Sequence, residues 1–558
     1  MNHEIQELIK CAVEELEMPK SEIVVEIPGN QKFGDYSSPV AMTLAKQLGQ
    51  SPLEIAEKIR NKIQENQPSY LQTISVALPG FLNFLLSDGY FSAEISKILK
   101  IGGKYCDNDL HIGQKVVVEH SSPNLFKPFH IGHLMNNAIG ESIARLFAAS
   151  GADVVHVSYP SDISLGIGKA VHTILDSGGL AHLQEMSNEE QVKFFGECYA
   201  RGVEHYETYP ADAEKMRDLT NTLYQGVDGP ALRLYEHAKQ VNLDYFKKIT
   251  GKLGSSFDDL IFESEAGKVG KELVRKNLGN VFQESNGAII YDGESRGLHT
   301  RVFQNSDGHP TYEAKDLGLL AIKWERYNPD LSVTVVDYEQ GEYFRVVLDA
   351  AQQITPQWGA GTVPVLHGRL SFNNQKLSSR SGDVTLASDV IETVLGEVRH
   401  RSVRNYEKGD LETIALSAIK YTILKTSLPK NVAFDMDKAL SFEGDSGPYL
   451  LYTIARINSL ITASEFDGTE FKKPGEIYPF LRVVTIAPEI IRRATIEMSP
   501  HYLVSFLTEL AGEFNSFYES KKIIGGDSEQ WDIACANVAC SILEKGLFLL
   551  GIESVREM

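Results

Sequence analysis

Apolar positions spaced three and four residues apart predict helices near the start of the chain. One helix is predicted from about residue 5 to residue 16 and another over 52–63. Two runs rich in β-branched residues, at 23–27 and 73–78, predict strands. The first hundred residues therefore predict a small α+β unit, and the charged, glycine-containing stretch 102–113 that follows predicts a linker.

After residue 115 the pattern changes to short β-branched runs separated by longer stretches of helical spacing. The clearest strands are predicted at 116–118, 154–157 and 333–336, and their alternation with helices favours a parallel sheet joined by helical crossovers. Between about 175 and 290 a charged, helical pattern predicts an insertion. After about residue 400 nearly all the spacing is helical, which predicts a helical bundle. The resulting domain boundaries are 1–105, 114–400 and 401–558.

The composition is that of a globular chain: 42% of the 558 residues are hydrophobic and 23% are charged. The net charge is −21, and no third of the chain has an excess of basic residues. A nucleic-acid partner would therefore need a local basic patch. Five cysteines without a CxxC pair predict neither a disulfide framework nor a zinc knuckle, and they suit a reducing cytoplasm. No signal peptide or membrane span is predicted.

The most informative stretch runs from Glu119 to His133 and ends in His130-Ile131-Gly132-His133, between a predicted strand and a helix that continues to about Leu146. Backbone N–H groups and the helix dipole favour a phosphate group there, and Gly132 lets a flat ring approach the backbone. The two histidines can aim donors at one anion. The alternative is that they are capping or partly buried histidines. The similar His111-Ile112-Gly113-Gln114 precedes the strand and receives no functional weight.

A second stretch, Lys376-Leu377-Ser378-Ser379-Arg380-Ser381-Gly382-Asp383, lies in a loop-like part of the chain. A flexible lysine and serines on a loop that contains glycine are suited to close over a triphosphate and to neutralise its developing charge. On its own, the stretch is more typical of a solvated polar loop than of a phosphate-binding one.

Together, the two stretches resemble the ATP-binding signatures of the class I aminoacyl-tRNA synthetases, His-Ile-Gly-His and Lys-Met-Ser-Lys-Ser. Within that class the chain resembles the arginyl-tRNA synthetases over essentially its full length. The segments that carry this resemblance are Ser122-Pro123-Asn124 with Lys127, Pro310-Thr311-Tyr312 with Asp316, Phe33-Gly34-Asp35-Tyr36, Pro79-Gly80-Phe81-Leu82-Asn83-Phe84, Ser441-Phe442-Glu443-Gly444-Asp445-Ser446-Gly447-Pro448-Tyr449 and Leu550-Gly551-Ile552.

The resemblance implies an α/β multidomain fold with three parts. These are an N-terminal α+β domain that binds tRNA, a Rossmann-type parallel-sheet catalytic domain with a helical insertion, and a C-terminal all-α helical bundle that binds the anticodon. It also implies that the chain activates L-arginine with ATP to arginyl-adenylate and transfers the arginyl group to the 3′ end of tRNA(Arg).

Site residues follow from the same resemblance. ATP would be bound by His130, Gly132, His133, Lys376 and Ser378. Charge at the α-phosphorus would be stabilised by the catalytic groups His130, His133, Lys127 and Lys376. The arginine pocket would be formed by Ser122, Pro123, Asn124, His133, Tyr312, Asp316 and Gln340.

Independently of the resemblance, the residues of that pocket are chemically suited to bind a guanidinium group. A guanidinium group is a planar fork of donors, which Asp316 can accept bidentately while the ring of Tyr312 packs on its face. The two residues share a face only if their segment is helical. Glu119, at a strand end, is a further candidate for the cationic groups of the substrate. In the alternative interpretation Asp316 is a solvated acid paired with Lys315 or Lys323, Tyr312 is a core aromatic, and Glu119 is structural.

Three positions depart from the family pattern. Ser379 stands where the second signature usually has a lysine, and Lys127 is the expected replacement. Met135 stands where many members have a basic residue. Of the Gly-Asp-Trp-Gly stretch often found after the second strand, only Asp162 matches, which puts a contact near the substrate in doubt.

Two other functions compete. Another class I synthetase, for cysteine or glutamate, is disfavoured because the cysteines do not cluster and an acidic substrate needs a cationic pocket. The second is a catalytically inactive tRNA-binding paralogue, favoured by Ser379, Met135 and the lack of a basic surface. ATP is expected to enter with Mg²⁺ as a substrate, and no cluster of ligands for a protein-bound metal is visible in the sequence. The resemblance further implies a monomer in the cytoplasm without membrane contact.

Overall fold

The computed structural model describes residues 1–372, 385–402, 408–472, 474–556 and 558. Its N-terminal part is a three-stranded antiparallel sheet, in the order β1-β3-β2, covered by helices. The strands are β1 (Tyr36–Ser38), β2 (Leu71–Ala77) and β3 (Phe81–Leu86). The helices are α1 (Asn2–Glu15), α2 (Val40–Leu48), α3 (Pro52–Gln64) and α4 (Asp88–Ile101). This unit has a hydrophobic core of its own, which includes Ile9, Leu44 and Phe84.

One predicted strand is wrong. The run at 23–27 is extended but forms only an isolated bridge between Glu26 and Ser37. A strand needs a neighbour along its whole length, and β1 beside this run is only three residues long. The prediction at 73–78 is confirmed by β2.

The central part contains a five-stranded parallel sheet in the order β11-β10-β4-β5-β6. Its strands are β4 (Lys115–Glu119), β5 (Asp153–Ser158), β6 (Asp259–Leu260), β10 (Leu331–Asp337) and β11 (Thr362–His367). A separate antiparallel sheet contains β7 (Gln283–Ser285), β8 (Ala288–Tyr291) and β9 (Arg301–Gln304). The helices are α5 (Ile131–Ala149), α6 (Leu165–Asp176), α7 (Gly179–Leu183), α8 (Asn188–Thr208), α9 (Pro210–Gln225), α10 (Pro230–Lys252), α11 (Glu263–Lys276), α12 (Tyr312–Tyr327), α13 (Gly341–Ile354) and α14 (Pro356–Ala360).

The order of this sheet determines where a ligand can bind. The chain moves from β4 outward to β5 and β6, and then returns to the other side of β4 to form β10 and β11. The strand order therefore reverses between β4 and β10, and ligands of open α/β sheets bind outside the carboxyl ends of the strands at such a point.

The stretch predicted as a helical insertion ends earlier than expected. Helices α7 to α10 fill it only as far as Lys252, after which β6 returns to the central sheet and α11 follows. The prediction to residue 290 also included the β7–β8 hairpin, whose two-residue turn is Asn286-Gly287 with φ of 50° and 78°. An Asn-Gly dipeptide favours a tight hairpin turn, so this dipeptide indicated in the sequence that the helical insertion ends before it.

The C-terminal part is a helical bundle, as predicted, apart from one short parallel ladder of two strands. Those strands are β12 (Leu370–Phe372) and β13 (Val432–Phe434). The helices are α15 (Ala387–Arg401), α16 (Lys408–Leu424), α17 (Met436–Ala439), α18 (Gly447–Ala463), α19 (Pro479–Thr485), α20 (Ala487–Ile496), α21 (His501–Ser520) and α22 (Glu529–Leu549). In the described part of the chain, no helix combines the length and apolar character that a membrane crossing requires.

The bundle and the central sheet share one hydrophobic core. Val116 and Val118 of β4 belong to the same buried cluster as Leu503 of α21 and Leu543 of α22, whereas Val117 faces a second cluster on the opposite side of the sheet. The sheet is therefore buried on both faces, which explains why its strands are continuous β-branched runs.

The N-terminal unit is attached to the bundle through apolar and polar contacts, since Ile95 and Ile98 of α4 are buried in the main core together with residues of α21 and α22. The Tyr36 hydroxyl donates to Glu489 Oε1 at 2.7 Å. Arg482 Nη1 lies 2.7 and 2.8 Å from the two carboxylate oxygens of Asp35, and its guanidinium lies over the ring of Phe91.

The segment predicted as a linker is packed. Gly102–Cys106 forms a 3-10 helix in which Tyr105 and Cys106 are buried, and Asp107 pairs with Lys545 of α22 at 2.6 Å. The glycines and charges that suggested a free connection instead allow a tight turn against the bundle. A Cβ atom at Gly103 would lie 2.9 Å from Cβ of Lys545.

Candidate active site at the carboxyl edge of the parallel sheet

The loop between β4 and α5 is held by the amide of Asn136 on α5. Asn136 Oδ1 accepts the backbone N–H of Ser121 at 2.6 Å, and its Nδ2 donates to Val335 O of β10 at 2.6 Å. The same Nδ2 lies 3.1 Å from Nε2 of His367 at the end of β11. Ser121 has a φ of 57°, so its backbone occupies the strained left-handed region where the loop leaves the strand.

The two predicted histidines stack on each other at the start of α5. Their ring centroids are 3.8 Å apart with an interplanar angle of 21°. His130 is the residue before the first helical turn: its Nδ1 accepts the N–H of Gly132 at 3.1 Å, and His133 Nδ1 accepts the N–H of His130 at 3.3 Å. The alternative interpretation as capping histidines is therefore correct as a description of their structural role. It does not exclude a ligand role.

This capping arrangement determines which nitrogen carries the proton. Because Nδ1 of both rings accepts a backbone N–H, the neutral form of each ring has its proton on Nε2. Burial, followed by the positive charge of Lys127, lowers the pKa of His130, and burial, His130 and Lys127 lower that of His133 well below its usual value. Both rings are therefore neutral at pH 7, with one N–H donor each.

Gly132 has a structural role that the sequence did not indicate, and its contact with ATP stays a prediction. A Cβ atom at this position would lie 2.9 Å from Cε1 and 3.1 Å from Nδ1 of His130. The missing side chain makes room for the imidazole of its own neighbour, which the local sequence alone does not reveal.

Lys127 is exposed beside this pair. Its Nζ lies 4.4 Å from the ring centroid of Tyr199 on α8, so that the insertion orients it. Lys376, Ser378 and Ser379 lie outside the described residues. The chain on the C-terminal side of that gap is tied to the histidine motif: Ile131 N donates to Thr385 O at 3.2 Å, and Ala387 N donates to Phe129 O at 2.9 Å.

Four carboxylates are close enough to the buried hydroxyl group of Tyr159 for their charges to act on it, and three of them have a lysine partner. Glu119 bonds to Lys323 at 2.6 Å, Asp162 bonds to Lys239 at 2.6 Å, and Glu263 bonds to Lys315. The proximity of all four is evident at Tyr159, where burial and then these carboxylates raise the pKa well above its usual value.

Asp316 is the fourth carboxylate of this group. Within the described part of the chain it forms no ion pair, and its Oδ2 accepts the neutral hydroxyl of Tyr343 at 2.6 Å. Burial raises the pKa of Asp316 to about 7, opposed by the Tyr343 hydrogen bond and reinforced by the charges of Glu119 and Glu263. The site therefore holds one acid that lacks a cation.

The alternative interpretations of this pocket are wrong in two respects. Lys315 and Lys323, the proposed partners of Asp316, are bonded to Glu263 and Glu119 instead. Tyr312 is not a core aromatic, because it is 66% exposed. Helix α12 begins at Tyr312, so Tyr312 and Asp316 lie one turn apart, as the bidentate arrangement requires.

Glu119 is buried, and its Oε2 already accepts from Lys323 and Thr334. Oε2 of Glu119 therefore has a structural role, and the contact of this carboxylate with the cationic groups of the substrate stays a prediction. Gln340 is exposed and ends a 3-10 turn that follows β10, at the same edge of the sheet as Asp316.

The Ser122-Pro123-Asn124 segment runs alongside the chain after β5. Ser122 Oγ accepts the N–H of Tyr159 at 3.1 Å, and Pro123 O accepts the N–H of Ser161 at 2.9 Å. The side chain of Asn124 is exposed at the edge of the site.

Two of the departures from the family pattern have structural roles. Asp162 accepts from the N–H of Ser264 as well as from Lys239, and it thereby joins α10 and α11 to the end of β5. Met135 is 1% exposed and packs in the main core, so this position is no evidence for a lost catalytic group.

Comparisons with known proteins agree along the whole chain. The family profile described as "tRNA synthetases class I (R), catalytic domain" matches residues 94–436. "Arginyl tRNA synthetase N terminal domain" matches 3–86, and "DALR anticodon binding domain" matches 450–558.

Among curated relatives, the arginine–tRNA ligase of Clostridium botulinum is 29% identical over 574 aligned positions, which cover 100% of this chain and 99% of the relative. That of Streptococcus pyogenes is also 29% identical, over 99% of this chain and 98% of the relative. Among solved structures, the arginyl-tRNA synthetase of Thermus thermophilus has a TM-score of 0.81 at 22% identity, and that of Plasmodium falciparum has 0.81 at 20%. The first alignment covers 100% of both chains, and the second covers 100% of this chain and 99% of the other.

The raised pKa of Asp316 predicts how the stability of the ligand-free protein changes with pH. A carboxyl group whose pKa is higher in the folded than in the unfolded state destabilises the fold progressively as the pH rises from the unfolded value to the folded value. Asp316→Asn should therefore increase the free energy of unfolding, by about 1–3 kcal/mol at pH 8. The gain should grow between about pH 4 and about pH 7 and stay constant above that. Urea unfolding across this range measures it, with the exposed Glu325→Gln on the same helix as the control. A gain that is independent of pH would contradict the assignment.

Proposed function

Because the chain belongs to the class I arginyl-tRNA synthetases, we propose how its residues activate L-arginine with ATP and transfer the arginyl group to the 3′ end of tRNA(Arg). The observation that carries the proposal is Asp316, the carboxylate among four that has no cationic partner. A partly buried acid without a counter-ion is unfavourable in the free protein and becomes favourable once a guanidinium group binds to it.

In the proposed complex the guanidinium group lies between Asp316 and the exposed ring of Tyr312. Asp316 accepts two N–H donors, and Tyr312 closes on the flat face of the group. Ser122, Pro123, Asn124 and Gln340 complete the pocket around the rest of the amino acid. Glu119 acts mainly through its negative charge, since Lys323 occupies one of its oxygens.

The α-carboxylate of arginine attacks the α-phosphorus of ATP, and pyrophosphate leaves. We propose that ATP enters as its Mg²⁺ complex. The Nε2–H groups of His130 and His133 donate to phosphate oxygens at the N-terminus of α5, and Lys127 supplies positive charge from the other side. Lys376 and Ser378 are proposed to contribute from the segment whose following residues, Thr385 to Ala387, bond to the histidine motif.

We also propose that three domains, 1–105, 114–400 and 401–558, divide the work, with the first and third contacting tRNA. The match of residues 450–558 to an anticodon-binding profile supports the role of the third. A monomer in the cytoplasm completes the proposal, and five free cysteines, four of them buried, suit a reducing compartment.

Pyrophosphate exchange tests the proposal directly. Exchange of label between pyrophosphate and ATP should require arginine among the twenty amino acids, and we expect it to be strongest with tRNA present. Folded protein that binds tRNA but supports exchange with no amino acid would favour the inactive paralogue instead.

The arginine KM should depend on pH through Asp316. Only the ionised carboxylate can accept the guanidinium donors, so below its pKa of about 7 each pH unit should raise the KM for arginine about tenfold. Steady-state exchange measured from about pH 8 down to about pH 6 provides the profile. Asp316→Asn should have a KM about 100-fold higher and a nearly flat profile. A flat profile in the unsubstituted protein would contradict the pocket.

Loss of His133 should slow adenylate formation. His133→Ala removes one oriented donor and should reduce the rate by about 100-fold or more in single-turnover measurements. The similar sequence His111-Ile112-Gly113 supplies the matched control. It lies before β4, away from any helix N-terminus, so His111→Ala should leave the rate unchanged. Equal rates for the two variants would exclude the phosphate role.

A further inference from the structure

A second polar cluster, formed by His120, Glu141 and His156, lies behind the proposed active site. The three residues come from the end of β4, the middle of α5 and the middle of β5. One ligand atom from each, His120 Nε2, Glu141 Oε2 and His156 Nδ1, lies within 4.8 Å of the other two.

All three of these atoms are buried and lack a hydrogen-bond partner among the described residues. His156 Nδ1 and Glu141 Oε2 are 3.9 Å apart, which is too far for a hydrogen bond between them. His120 is 1% exposed and Glu141 is 5% exposed, so their side chains have little direct contact with bulk solvent. Three buried unsatisfied groups that converge on one point are costly unless another species bonds to all of them.

The other polar atoms of these side chains have partners that orient the cluster. His120 Nδ1 lies 2.9 Å from Ser121 Oγ, and Glu141 Oε1 accepts from Arg145 Nε at 2.7 Å. These contacts leave Nε2 of His120 and Oε2 of Glu141 free toward the shared point. Such bonds to the far side of a ligand are what orient metal-binding side chains.

The backbone of α5 is adapted to bring His120 this close. A Cβ atom on Gly140 would lie 2.3 Å from Cβ of His120, so only glycine fits beside Glu141 at this crossing.

We propose that His120, Glu141 and His156 bind one divalent transition-metal ion, of which zinc fits best. Two imidazole nitrogens and one carboxylate oxygen form a common zinc ligand set, whereas Mg²⁺ and Ca²⁺ prefer oxygen ligands alone. Ligand atoms stand roughly 3.4 Å apart around a tetrahedral zinc ion, so small side-chain rotations that bring them about 1 Å closer complete the site. The side chain of His156 is 22% exposed, which provides an entry path and leaves the fourth position for solvent.

The sequence-based expectation of no protein-bound metal missed this cluster because its members are far apart in sequence and belong to three elements. Its position gives the ion a role. The ion would join β4, α5 and β5 directly beneath Ser121, where the strained loop of the active site begins. It is a positioning site and does not touch the reacting groups.

The test uses untagged full-length protein that has been stripped with a chelator. Cobalt(II) titration should give one equivalent per chain with the visible absorption of a tetrahedral site, and zinc should displace it. His156→Gln should weaken zinc binding by about 100-fold or more in competition with a chromophoric chelator. His172→Gln is the matched control, because His172 lies 3.3 Å from the carboxylate of Asp176 and belongs to no three-ligand group among the described residues.

Several results would overturn the proposal. One is the absence of a tetrahedral cobalt spectrum in the unsubstituted protein. This measurement needs no variant, so it does not depend on whether a variant folds. Another is zinc binding that is unchanged in His156→Gln. The third is a crystal structure from zinc-containing buffer in which a water molecule, without anomalous signal at the zinc edge, bridges the three side chains.

Discussion

The amide of Asn136 is the contact on which the geometry of the site depends. It bonds at once to the loop after β4, to a carbonyl of β10 and to the histidine that ends β11. These partners lie on both sides of the point where the strand order reverses. One side chain therefore relates the phosphate end of the site, on α5, to the strands beside the amino-acid pocket. An open α/β sheet offers a crevice at this point, and Asn136 gives the crevice a defined width.

Charge pairing is the basis on which we propose that the same crevice selects a cationic side chain. Buried acids are tolerated when they are paired, and Lys323, Lys239 and Lys315 each neutralise one. The remaining acid, Asp316, lies in the negative potential of the others and is bonded only to Tyr343. The pocket is thus incomplete by one positive charge, which in the proposed complex a planar guanidinium group supplies together with matching donors. A neutral side chain of similar length would leave Asp316 without a cationic partner.

The fold class and the histidine motif were predictable because both depend on local patterns. Continuous β-branched runs identify a sheet buried on both faces, and a strand, a loop and a helix start identify an anion site. Pairings between distant residues were not predictable. Whether 23–27 becomes a strand depends on the length of β1, and the lysine partners of Glu119 and Glu263 lie 204 and 52 positions away. Even Gly132 needed the structure, because the group that it accommodates is the ring of His130, whose orientation depends on the cap.

The shared core of the sheet and the bundle has a consequence for how such a chain can be rearranged. The face of β4 that carries Val116 and Val118 is sealed by the same cluster that contains residues of α21 and α22. The central sheet and the bundle are therefore a single folding unit, although they differ in architecture. The N-terminal unit has a core of its own, but its last helix, α4, also places Ile95 and Ile98 in the shared core, in addition to the contacts made by Arg482 and Glu489. In evolution or in protein engineering, the exchangeable module is thus the part of the N-terminal unit that precedes α4, while α4, the catalytic sheet and the bundle are inherited together.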